Sequence, residues 1–169
     1  QIARSHGLRR DFAKAQEVLA EIEPQLQKAS LEAQAYYSLE LGRTYSSATH
    51  PDESQTDEVK EKARRAYLRA FELAKEGGKD GLAIDALHMM TFVDTGPEGQ
   101  VAWNRKALEY MEASAQPEAK KWEGALRNNL GYALHLMGQY EEALGEFELA
   151  LAVRERNGKP QPVRIAHWM

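Results

Sequence analysis

Apolar residues recur at three- and four-residue spacings along almost the whole chain, and no window alternates for long enough to form a strand. The pattern predicts an all-α protein. Helices are expected over roughly 11–23, 30–47, 56–77, 80–94, 98–114, 117–137 and 139–157, with one more starting near 162. Their limits are marked by Pro24, His50-Pro51, Gly77-Gly78, Gly96-Pro97, Gln116-Pro117, Gly138 and Gly158-Lys159-Pro160. Short links between long amphipathic helices favour antiparallel hairpins.

The hairpins share a pattern. Ala143, Phe147 and Ala150 put small, large and small residues on one helix face, and Ala63, Tyr67 and Ala70 do the same at identical offsets. Ala15, Leu19 and Ile22 form a looser set. The positions fit a repeat of about 40 residues if a further unit falls near 103, where Trp103, Ala107 and Tyr110 invert the sizes and Ala107-Leu108 offers a second register. On the preceding helices, Leu41-Gly42 is followed by Tyr45, and Leu130-Gly131 by Leu134. A glycine there lets one helix approach its partner closely. The stretch from Gly42 to Ala63 is 9 residues longer than that from Gly131 to Ala143, and the excess falls in the polar run 46–56, read as a surface loop or helix extension.

The Leu-Gly…Ala…Phe…Ala combination over 125–157 resembles a tetratricopeptide repeat, with a fair match over 35–76 and a weak one over 80–115. HEAT and armadillo repeats share the length but not this combination. The Asn128-Asn129-Leu130-Gly131 start, the Gly138-Gln139-Tyr140-Glu141-Glu142-Ala143 turn and the Ala150-Leu151-Ala152-Val153-Arg154-Glu155 ending are similar to the longer variant found in kinesin light chains and related bacterial scaffolds. The resemblance implies a right-handed α-α superhelix, a solenoid of stacked hairpins. One array would cover 1–169, with units at 1–29 (partial), 30–77, 79–115, 117–157 and a further one beginning at 161–169. Arg127 stands where the family pattern carries Trp, which opens a packing position that Trp122, about a turn earlier, is placed to cover. The start at Gln1 and the stop at Trp168-Met169 suit a fragment of a longer protein, which leaves room for a leader upstream.

Charge and composition narrow the function classes. The 22 Lys+Arg and 26 Asp+Glu give −4, and basic pairs such as Arg9-Arg10, Arg64-Arg65 and Lys120-Lys121 lie close to acids. That is a mixed, solvated surface, which argues against nucleic acid as a partner. No run of about 18 apolar residues suggests a membrane span. Without Cys there is no disulfide, thiol nucleophile or cysteine-ligated metal, and the cytoplasm is the default location. Gly77-Gly78 and Gly81 lack the Lys-Ser/Thr ending of a phosphate loop.

In tetratricopeptide arrays the first helices line a concave groove, so the resemblance implies ligand contacts from Asn128, Asn129, Tyr132 and His135 in the best repeat and from Tyr36, Glu40 and Arg43 in the earlier one. Asp85 and His88 would extend that lining. An Asn amide offers both donors and an acceptor to a peptide backbone, and Arg43 suits bidentate pairing with a carboxylate. The family's clamp for C-terminal carboxylates is not expected, because Tyr132 and Arg43 follow the two glycines and Glu40 and Asp85 add negative charge. Asp85, His88 and His135 are a weak basis for a metal or acid–base site, and a polar groove is the better account. Met89, Met90 and Phe92 read as packing residues. The expectation is a non-enzymatic scaffold, without cofactor or metal, that receives a peptide or helical segment. The alternative is a repeat region for self-association or intramolecular docking, in which Ile165, Ala166 and Trp168 offer an open repeat end to a second copy.

Overall fold

The computed structural model describes residues 1–156 and 158, which form helices and their connections with no strand among them. The helix expected near 162 and the Ile165, Ala166 and Trp168 end lie outside the described residues. The chain divides into two compact units, 1–93 and 94–169.

The first unit contains α1 (Ile2–Leu8), α2 (Phe12–Ile22), α3 (Leu31–Tyr45), α4 (Asp57–Glu76) and α5 (Asp80–Met89), with 3₁₀ turns at Glu23–Lys28, Asp52–Ser54 and Met90–Phe92. Local signals set the starts. Asp11, Ser30 and Thr56 accept hydrogen bonds from the backbone N–H groups of Lys14, Ala33 and Val59, which caps α2, α3 and α4. Helix α3 packs along α4 and α4 along α5, around fully buried Leu39, Ala63, Tyr67, Ala70, Ile84 and Leu87. Gly42 faces the Tyr67 ring. The Tyr67 hydroxyl donates to the Ser46 carbonyl, which satisfies its polar end inside the core, and burial pushes its pKa far up.

The second unit contains α6 (Pro97–Ala113), the single turn α7 (Pro117–Lys120), α8 (Glu123–Leu136) and α9 (Tyr140–Arg156). Prolines open α6 and α7, where their missing N–H is not needed. Helix α8 packs against α6 and α9. Gly131 faces Phe147, and Leu126, Leu130 and Leu134 of α8 and Ala143, Phe147 and Ala150 of α9 are buried. In α6 the buried line runs through Val101, Asn104, Ala107, Leu108 and Met111, so the second of the two registers is the one that faces inward. Trp103 lies half-buried beside it and donates from Nε1 to Asp94 at 2.7 Å.

Four boundaries differ from the sequence expectation. Helix α1 was not anticipated: its seven residues include Gly7 and bury only Ala3, too little for periodicity to reveal. The expected helix 80–94 yields to a 3₁₀ turn after Met89, where the Thr91 hydroxyl donates to the His88 carbonyl at 2.8 Å. The expected 117–137 helix breaks at Lys121-Trp122 into α7 and α8. The 46–56 run is a surface connection only in part. Ser46 is buried and its hydroxyl donates to the Phe92 carbonyl at 2.8 Å, while Gln55 Nε2 donates to the Tyr45 carbonyl at 3.1 Å.

Candidate functional site

In the first unit, Tyr36, Glu40 and Arg43 recur on one face of α3 because four- and three-residue steps nearly complete helical turns. Tyr36 is exposed. Arg43 is not open to an external carboxylate, since its Nη2 donates to both carboxylate oxygens of Asp85, at 2.6 and 2.7 Å, and its Nη1 to Glu40 at 2.6 Å. The bidentate chemistry foreseen for Arg43 is satisfied within the chain. Arg4 adds a longer contact to Glu40 at 4.0 Å. A cavity of about 220 Å³ beside this cluster is bordered by Arg4, Glu40, Arg43, Met89 and Phe92, so its charges are already matched.

His88, one helical turn beyond Asp85, stands edge-on to Phe92 with ring centroids 5.7 Å apart. Burial holds its pKa below the ordinary 6.5, Asp85 pulls it upward, and Arg43 pushes it down again. His50 is also held low by burial, against hydrogen bonds to the backbone of Thr44 and Ser47 that raise it. A histidine kept neutral in the folded chain binds protons more readily when unfolded. Its stabilisation is complete above about pH 6.5 and is lost as pH falls through that value toward the depressed folded one. Urea midpoints are therefore expected to drop as pH falls below about 6.5, with His88 supplying at most about 1.4 kcal/mol per pH unit. His88→Gln should flatten the profile; an unchanged slope would show that His88 is not the responsible group.

In the second unit, Asn128, Asn129, Tyr132 and His135 form one strip of α8, partly exposed along its length. His135 stacks obliquely on Tyr140 at the turn into α9, with ring centroids 5.3 Å apart. Leu136, Met137 and Tyr140 are exposed at the same turn, to 51%, 38% and 63%, and they continue the strip as an apolar patch. Sequence reasoning passed over these three. Their signal was an apolar pair directly before Gly138 and an aromatic two residues after it, where a solvated turn ordinarily places polar side chains.

Arg127 lies behind the strip. Its guanidinium pairs with Glu123 on α8, Glu112 on α6 and Glu146 on α9, each at 3.2 Å. Arg127 thus centres a charge cluster that joins three helices. The structure brings Glu40, Arg43 and Asp85 together in the first unit, and Asn128, Asn129, Tyr132 and His135 in the second. No group of three or more His, Asp or Glu residues suited to a metal is present among the described residues. No helix there is long and apolar enough to cross a membrane. The chain matches no protein-family model, no curated protein and no solved structure.

Proposed function

We propose that this chain is a protein-binding module of the tetratricopeptide type, a non-enzymatic, cytoplasmic scaffold that receives a peptide or helical segment along its first-helix faces. The observation that carries the reading is the α8 strip, in which two amides, a phenol and an imidazole run into exposed Leu136, Met137 and Tyr140. Amides can bind an extended backbone regardless of its side chains, and a clustered apolar patch rimmed by polar groups is characteristic of an interaction site. The close contact of Gly131 with Phe147 ties that strip's helix to α9. Arg43, Glu40 and Asp85 serve as an internal tie between α3 and α5, which leaves Tyr36 as the exposed member of the first unit's set.

The test is selection of binding peptides by phage display, followed by titration of the selected peptide against Asn128→Ala/Asn129→Ala/Tyr132→Ala. Affinity should fall at least about tenfold with the far-ultraviolet circular dichroism unchanged. Undiminished binding by that variant would remove α8 from the interface.

A second reading, docking to another copy of the chain or to another part of a longer one, draws on α9. Tyr140, Leu144 and Leu149 are all exposed there. Light scattering separates the two readings. A concentration-dependent dimer that disappears in Leu144→Glu/Leu149→Glu favours self-association, and a monomer at every concentration argues against it.

A further inference from the structure

Three helices end in turns of the same construction. After α1, the Asp11 N–H donates to the His6 carbonyl at 3.0 Å; after α4, Lys79 donates to Ala74 at 2.8 Å; after α8, Gln139 donates to Leu134 at 3.0 Å. In each turn the residue before the donor adopts the left-handed conformation. Two of these residues are Gly78 (φ 62°) and Gly138 (φ 75°), as the motif favours, but the third is Arg10 (φ 62°). A Cβ is disfavoured there, so Arg10 is kept at a position that glycine would fill with less strain. Strain of this kind, borne by a charged residue, points to the surroundings of its side chain.

Arg10 borders a cleft of about 560 Å³ in the first unit, within the range of small-molecule sites. Its other walls come from Phe12 and Gln16 on α2, from Thr44 and Tyr45 at the end of α3, and from the 46–56 connection, including His50 and Pro51. Phe12 and His50 stack face to face, with ring centroids 3.7 Å apart and planes inclined by 15°. The polar groups of these walls are largely engaged with each other. Gln16 Nε2 donates to Thr44 Oγ1 at 3.1 Å and that hydroxyl donates to the Leu41 carbonyl at 2.8 Å. His50 has Thr44 O within 3.1 Å of Nε2 and Ser47 Oγ within 3.0 Å of Nδ1, and burial keeps its ring neutral at pH 7. What remains is an open cleft with aromatic walls, no carboxylate among its lining residues and one cation at its border. The Arg10 guanidinium makes no ion pair among the described residues.

We propose that this cleft binds a small aromatic carboxylate, with its ring against the Phe12, Tyr45 and His50 walls and its carboxylate on the Arg10 guanidinium. A guanidinium accepts a carboxylate in a planar, two-bonded arrangement, and the aromatic walls supply apolar contact for a ring. The cavity beside Arg43 does not compete for such an acid, because both of its arginines are already paired with carboxylates. None of the residues assigned to the peptide-binding faces lines the cleft, so the two sites stand or fall separately.

Isothermal titration with indole-3-propionate tests the assignment, with its primary amide and plain propionate as comparison ligands. Saturable binding is expected at millimolar or lower concentration, weakened at least about tenfold for the amide and for propionate. Arg10→Gly should weaken binding of the acid by a similar factor while raising the thermal midpoint, because the left-handed strain is relieved. Arg9→Gly alters the neighbouring exposed arginine, which does not line the cleft, and should leave the affinity unchanged. Absence of saturable binding by the acid, equal affinity for acid and amide, or full affinity in an Arg10→Gly protein that still folds would each overturn the proposal.

Discussion

Replacing Arg43 with methionine is expected to destabilise the chain by about 3 kcal/mol, measured by urea unfolding at neutral pH. The magnitude follows from what the substitution leaves behind. The Asp85 and Glu40 side chains are only 20% and 18% exposed, and Asp85 would lose both of the hydrogen bonds that Arg43 donates. Two carboxylates would then lie close together, with Arg4 at 4.0 Å from Glu40. Methionine keeps much of the aliphatic volume, so the loss reports charge and hydrogen bonding more than packing. Removing both partners should cost much less, because a desolvated pair contributes little over an apolar pair of similar size. Arg43→Met/Asp85→Leu is therefore expected to recover most of the loss, and the double-mutant cycle gives the coupling directly. A single-variant loss below about 0.5 kcal/mol would place the cluster with ordinary surface ion pairs.

The second large effect is steric. A Cβ added at Gly42 would stand 2.5, 2.6 and 2.9 Å from three ring carbons of Tyr67, inside any attainable contact. The ring has little room to retreat, because Tyr67 is fully buried and its hydroxyl is held by the Ser46 carbonyl. Gly42→Ala should gain about 1 kcal/mol in helix propensity and lose up to about 3 kcal/mol through overpacking, for a net loss of about 2 kcal/mol. Gly131→Ala should behave similarly, since its Cβ would meet Phe147 at 2.8 Å and the Ala143 carbonyl oxygen at 3.1 Å. Gly145→Ala is the internal control. It lies within α9 with nothing within 4 Å of an added Cβ, so it should stabilise by roughly 0.5–1 kcal/mol. Thermal and urea unfolding of the three variants would decide the matter: a Gly42→Ala protein as stable as the parent would mean that the helices separate without cost.

The close helix approach at Gly42 and Gly131 was legible in the sequence because its causes are local and periodic. The glycines were expected to meet a small residue at the Ala143 position and instead face the Tyr67 and Phe147 rings. Gly42 and Gly131 precede large residues set between alanines at fixed offsets, and the helical face follows from the offsets alone. Long-range choices of partner were not legible. Arg43 satisfies Asp85, 42 residues away, and nothing within either helix distinguishes that outcome from an arginine held ready for a ligand. Likewise, His50 stacks on Phe12 from a connection whose polar composition reads as solvated loop. The α8 strip was recognised through Asn128, Asn129, Tyr132 and His135, whereas its apolar continuation at the turn became visible only as exposed area.

The Arg127 cluster bears on how this chain could have grown or been rearranged. A tryptophan at that position would need mainly volume and one acceptor for its indole N–H. Arg127 needs particular carboxylates, and one of them, Glu112, belongs to the helix before its own hairpin. Arg43 makes the opposite demand, since its second carboxylate comes from Asp85 in the helix after its hairpin. Each hairpin is thus specified partly by sequence outside itself. Cutting out residues 117–156 and duplicating them elsewhere would strand an arginine, so this hairpin carries chemistry that another neighbour would not satisfy.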